Sequence, residues 1–173
     1  QIQGIVRQSK SYLSNYNEII VLYDDTHNKK DLMISAGKVL SAGLSGVANG
    51  TKSDYKQVRV KFASTAKKMD DHCVLLTTVS DLQTNTKLLK RLADVDKASL
   101  HVQSLTEELD ELLNYPDAYM IKQIGKQFII IGQNEQGALY GAHKFVREML
   151  QMTSAQFNCS HVQTDTLRLA SIW

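Results

Sequence analysis

The sequence predicts an α/β (α+β) fold: one domain with a mixed β-sheet and helices packed on it. Three observations predict it. Short apolar runs alternate along the chain with longer stretches of helical periodicity, and no unit repeats. Near the carboxyl end, two apolar runs flank a Gly-Lys pair and lead straight into a long amphipathic stretch. At 173 residues, with 43% apolar, 22% charged and one proline, the chain has the size and composition of an ordinary globular domain with a single core.

Taken in order, residues 2–16 are polar with scattered apolar positions and read as a short helix or an extended arm. Glu18 to Tyr23 holds the continuous apolar run Ile19-Ile20-Val21-Leu22, the pattern of an interior strand covered on both faces, and Asp24-Asp25 marks its end. A helix follows at about 31–45. Leu32, Met33, Ala36, Val39, Leu40 and Leu44 share a face, and Gly43, Gly46 and Asn49-Gly50 mark its stop. From Tyr55 to Ala63, Val58, Val60 and Phe62 alternate with Arg59 and Lys61, which predicts a half-buried strand near an edge. Cys73 to Thr78 is a further apolar strand. Ser80-Asp81 then opens a helical run with Leu88, Leu89 and Leu92 inward, and an acidic helix spans about 105–113.

Asn114-Tyr115-Pro116-Asp117 turns into a hairpin, Ala118 to Ile124 and Gln127 to Ile131, whose turn Gly125-Lys126 calls for positive φ at its first position. Gly132 ends the second strand, Asn134 caps the next helix and Glu135 favours its first turn. Ala138, Leu139, Ala142, Phe145, Val146, Met149 and Leu150 recur on one face of that helix, at about 135–151. Gly137 and Gly141, one turn apart, predict close approach of its backbone to the sheet. Val162, Leu167, Leu169 and Ile172 give a terminal strand or linker.

The run from Gly125 to Gln151, with Gly137-Ala138-Leu139-Tyr140-Gly141 at its centre, resembles the end of the non-catalytic amino-terminal domain of glycoside hydrolase family 67 α-glucuronidases. In that family a strand, a short polar loop ending in Gly-x-Leu-Tyr-Gly and a helix precede a further strand and a Trp at the entry to a catalytic (β/α)8 barrel. Leu167-Arg168-Leu169-Ala170-Ser171-Ile172-Trp173 matches that entry, with Ile172 standing where the family usually has His. The same domain type occurs in β-hexosaminidases and other glycosidases. The resemblance implies that residues 1–173 form one accessory domain and that segment 162–173 leads into the barrel. It implies further that the barrel carries the carboxylates that remove glucuronic acid or its 4-O-methyl ether from xylo-oligosaccharides. Trp173 is then the one substrate-binding residue expected here, lining the uronic acid pocket of the full-length enzyme. Another exo-glycosidase as the parent, or a free-standing carbohydrate-binding or adaptor module, are the alternatives.

The residues themselves offer no catalytic set. His27, His72, His101, His143 and His161 fall in no ligand spacing, so no metal or other cofactor is expected. Gly132 to Gly137 has the length of a phosphate loop, but Ala138 and Leu139 stand where its Lys and hydroxyl would be needed. Glu107, Glu108, Asp110 and Glu111 read as the solvated face of a helix, and Asp24-Asp25 as a strand-end turn. The net charge of +2 comes from 20 basic and 18 acidic residues interspersed, which gives no field to recruit nucleic acid or a membrane surface. No apolar run is long enough to span a bilayer. Cys73 reads as a small buried hydrophobe and Cys159 as part of a polar connection. Gln1 in place of Met points to the boundary of a longer protein or to a processed terminus, and a secreted or periplasmic parent is expected, with a cytoplasmic one as the alternative. The partner expected is the intramolecular barrel, with self-association of the chain alone, as a homodimer, through the face the barrel would cover.

Overall fold

The computed structural model describes residues 16, 18–23, 30–48, 59–63, 73–97 and 103–149, and the structural statements below concern these. The elements run β1 (Glu18–Leu22), α1 (Lys30–Ala48), β2 (Arg59–Ala63), β3 (Cys73–Thr78), α2 (Val79–Thr84), α3 (Thr86–Lys97), α4 (Leu105–Leu112), β4 (Tyr119–Ile124), β5 (Gln127–Gly132) and α5 (Glu135–Met149). The strands form one mixed sheet in the order β2-β1-β3-β5-β4. β2, β1, β3 and β5 are parallel, and β4 is the antiparallel edge. The alternating strand β2 lies at the other edge, where its pattern places it.

Continuous apolar runs became interior strands because both faces of the sheet are covered. Every residue of β1 and β3 is buried. Odd and even positions serve two cores. Ile19, Val74 and Phe128 stand in one cross-strand row, Val21, Leu76 and Ile130 in the next, and both rows pack against Met33, Ala36 and Leu40 of α1 and Ala138, Ala142 and Phe145 of α5. On the opposite face Ile20, Leu75 and Ile129 form a row beneath the leucines of α2, α3 and α4. In the first core the rings of Tyr16, Phe128 and Phe145 follow one another at centroid distances of 4.9 and 5.4 Å, tilted by 49° and 59°. Tilted pairs of this kind avoid stacking the negative ring faces on each other.

Two helices differ from the sequence reading. Gly43 and Gly46 do not stop α1, which runs on to Ala48. At Gly43 a Cβ would come within 2.6 Å of Val146 on α5, so the glycine makes room where the two helices meet. The helical run after Ser80 is two helices, broken at Asn85. The Asn85 amide donates to the carbonyls of Asp81 and Leu82, at 3.3 and 3.1 Å, and closes α2. Its side-chain Oδ1 accepts from the Leu88 amide at 3.3 Å and opens α3. The hairpin turn forms as its residues require, with Gly125 at φ 61°. The expected terminal strand at 162–172 and the polar segment before Tyr16 lie outside the described residues.

Phe145 is fully buried between the sheet and α1. Phe145→Ala should cost about 3 to 5 kcal/mol in denaturant unfolding, and a loss below about 1 kcal/mol would show that this face does not hold the core.

Candidate functional site

In an open α/β sheet the natural ligand crevice lies at the carboxyl ends of the strands, where the order reverses. Here that point falls between β1 and β3, since β2 lies to one side of β1 and β3, β5 and β4 to the other. The hydroxyls at this crest are turned inward. Thr77 Oγ1 donates to the Leu22 carbonyl at 3.2 Å and ties the two strand ends together. Thr78 Oγ1 donates to Asp81 Oδ2 at 2.8 Å and accepts from the Asp81 amide at 3.2 Å, the reciprocal bonding of a helix cap. Asp24-Asp25, expected as a strand-end turn beside this crest, lies outside the described residues.

The glycine-rich stretch after β5 is likewise folded onto its own backbone. Gln133 donates its amide to the Ala118 carbonyl at 2.8 Å. Asn134 Nδ2 donates to Asp117 Oδ1 at 2.8 Å, while its Oδ1 accepts from the Gly137 amide at 2.9 Å. Asp117 sits at φ 63°, a left-handed conformation that Asp tolerates better than most residues. A Cβ on Gly137 would lie 2.1 Å from the Ala118 carbonyl oxygen, and one on Gly141 would lie 2.7 Å from Ile130 Cγ2. The Gly-Ala-Leu-Tyr-Gly element is therefore a junction between helix and hairpin, and Gly137's amide is spent on the cap. Gly137→Ala must displace backbone, whereas Gly141→Ala meets a side-chain methyl. The first should lower the thermal midpoint clearly more than the second, with a loss of about 2 kcal/mol or more expected for Gly137→Ala. Equal midpoints for both variants would contradict this packing.

The group that sequence reading missed is a buried ion cluster. Lys122 stands in the row of Ile20, Leu75 and Ile129, and it is fully buried. Its Nζ donates to Asp96 Oδ2 of α3 at 3.2 Å and to Glu108 Oε1 of α4. Asp96 is 3% exposed and Glu108 12%, so two carboxylates neutralise one ammonium away from water. Glu108 thus leaves the solvated acidic face on which its neighbours suggested it. The remaining acids of that run, Glu107 and Asp110, are exposed, and Glu111 accepts from Gln103 Nε2 at 3.1 Å.

Removing only the cation leaves two buried anions facing each other. Lys122→Ala should cost about 3 to 5 kcal/mol in urea unfolding. Lys122→Met combined with Asp96→Leu and Glu108→Leu should recover most of that loss, and failure of the triple variant to do so would mean that the cluster contributes more than neutralisation.

Among the described residues no group of three His, Cys, Asp or Glu side chains is placed to hold a metal ion, and no helix is long and apolar enough to cross a membrane. His143 is exposed on α5. The other four histidines, Cys159 and Trp173, the one residue expected to bind substrate, lie outside the described residues. Cys73 is buried and unbridged, as a small hydrophobe would be.

No family model matches this chain, and no curated protein matches it. Among solved structures it is similar to part of CpGH84D, a glycoside hydrolase family 84 enzyme, with a TM-score of 0.44 and 15% identity over 79% of this chain. The chain spans about 18% of the length of that protein.

Proposed function

We propose that this chain is a non-catalytic accessory domain of a glycoside hydrolase, and more narrowly of an α-glucuronidase acting on xylan-derived oligosaccharides. The observation that carries the reading is the junction at Gly137 and Gly141. The stretch of sequence that resembles the α-glucuronidase amino-terminal domain is the stretch in which helix and hairpin meet without space for a Cβ. A motif of this kind serves the architecture of a domain, and it is reused wherever that architecture is reused.

The disposition of acids supports the same division of labour. Glycoside cleavage needs two carboxyl groups flanking one accessible bond. Asp96 and Glu108 do converge, but on the Lys122 ammonium and beneath two helices, where no sugar ring reaches them. Asp81, Asp117 and Glu148 are bonded to Thr78, Asn134 and Lys144 in turn. On this reading the acid and base come from a barrel in the same polypeptide, and Trp173 lines the sugar pocket there.

The test is an assay of the purified chain on aldouronic oligosaccharides. No glucuronic acid should be released. Release that scales with protein and disappears when one of the chain's own acids is replaced by its amide would overturn the proposal.

A further inference from the structure

The buried cluster at Lys122 holds a primary amine against two carboxylates inside an apolar layer. On its face of β4 the lysine lies between Met120 and Ile124 and opposite Ile129 of β5, all three members of the core that Leu92 of α3 and Leu109 of α4 also fill. Nζ is 3.2 Å from Asp96 Oδ2, one bond short of the carboxyl carbon, and it also donates to Glu108 Oε1. The side chains of Lys122 and Asp96 are 0% and 3% exposed, so only Glu108, at 12%, touches solvent. The Lys144–Glu148 pair of α5 is as close, at 2.9 Å, but its side chains are 20% and 19% exposed and its ions stay hydrated.

In water an ammonium and a carboxylate do not condense, because hydration favours the two ions over the neutral amine and acid that react. Burial changes both sides of that balance. Ions taken out of water lose their hydration, and the neutral pair is reached by moving one proton between the partners, with no net exchange with solvent. Groups held about 3 to 3.5 Å apart also react as if present at about 10⁵ to 10⁸ M. What remains to be supplied is a proton carrier, and the second carboxylate stands on the same Nζ.

We propose that Lys122 and Asp96 join spontaneously after folding, through an amide bond between Nζ and the Asp96 carboxyl carbon, with Glu108 as the catalytic carboxylate. Glu108 takes one proton from the ammonium and passes it to Asp96, which leaves a neutral amine facing a carboxylic acid. The nitrogen lone pair attacks the carboxyl carbon, the N–C bond forms, and the carbonyl pair moves onto oxygen. Glu108 then removes a second proton from nitrogen and delivers it to the hydroxyl, the C–O bond breaks and the carbonyl re-forms. One water leaves, the amide keeps one N–H, and Glu108 ends as the carboxylate it began as. Asp96 is the acceptor because it is the more buried acid, and Glu108 the carrier because it alone reaches solvent. The bond bridges 26 residues and fastens the edge strand β4 to α3, so that the edge cannot peel from the helical layer.

The experiment is intact mass spectrometry of the 173-residue chain under denaturing conditions, before and after incubation of the folded protein at neutral pH. The chain should weigh one water less than its sequence, and fragment spectra of a digest should join the segment bearing Asp96 to that bearing Lys122. Lys122→Arg keeps a cation between the carboxylates but no nucleophilic amine, and should retain the full mass. Glu108→Gln keeps the shape of the side chain but carries no proton, and should slow the joining about a hundredfold or more. Circular dichroism verifies the fold of each variant; if Lys122→Arg does not fold, the fragment spectra and the rate in Glu108→Gln decide. A folded parent chain that stays at full mass would overturn the proposal and leave an ion cluster only. So would a loss of water that persists in Lys122→Arg, which assigns a cyclised aspartate elsewhere, a bridge to Glu108 in place of Asp96, or an unchanged rate in Glu108→Gln.

Discussion

At Gly137 the backbone of α5 lies so near the Ala118 carbonyl that a single methyl group would not fit, and much of the molecule is arranged around that approach. It sets how deeply α5 sits on the sheet, and therefore where Phe145 meets Phe128 and how α1 must bend its contacts around Val146 at Gly43. Helix propensity is given up at both glycines, about 1 kcal/mol each against alanine, and the burial of Ala138, Ala142 and Phe145 offsets it. The cap at Asn134 completes the arrangement by binding the loop between Asp117 and the first turn of the helix.

The opposite face is governed by charge. Sheet register slips by one residue exchange every side chain between faces. A slip of β4 would carry Lys122 to the face covered by α1 and α5, whose described core residues are apolar. Its present place between Asp96 and Glu108 is thus as much a marker of register as a source of stability, the use for which buried ion clusters are best suited. The same cluster ties α3 and α4 to the edge strand β4.

How far the sequence reveals this structure depends on the range over which each feature is determined. The runs Ile19 to Leu22, Cys73 to Leu76 and Phe128 to Ile131 announce interior strands because burial on both faces favours apolar side chains at every position. The hairpin turn and the cap of α5 are legible because positive φ and an unsatisfied amide are local demands met by local residues. The ion cluster is hidden for the converse reason. Lys122 is one cation in an apolar strand, its partners lie 26 and 14 residues away, and Glu108 sits among acids that do face water. Gly43 misleads as a stop because what permits it in mid-helix is Val146, on the last helix of the sheet. The order of strands is equally remote from local pattern, because nothing within β5 states that its second neighbour is β3.

That order has a consequence for the making of the chain. β5 is the last strand in sequence but stands between β3 and β4 in space. During synthesis the sheet therefore grows with a vacancy inside it, and one side of β3, apolar from Cys73 to Leu76, stays unpaired until Gly132 has emerged. Parallel pairing across so long a separation is slow, and an apolar edge that waits is prone to pair with another chain. A chain broken off before β5 would leave β4 without its neighbour, and the strand exposed on the other side of the gap, β3, would be among its most hydrophobic.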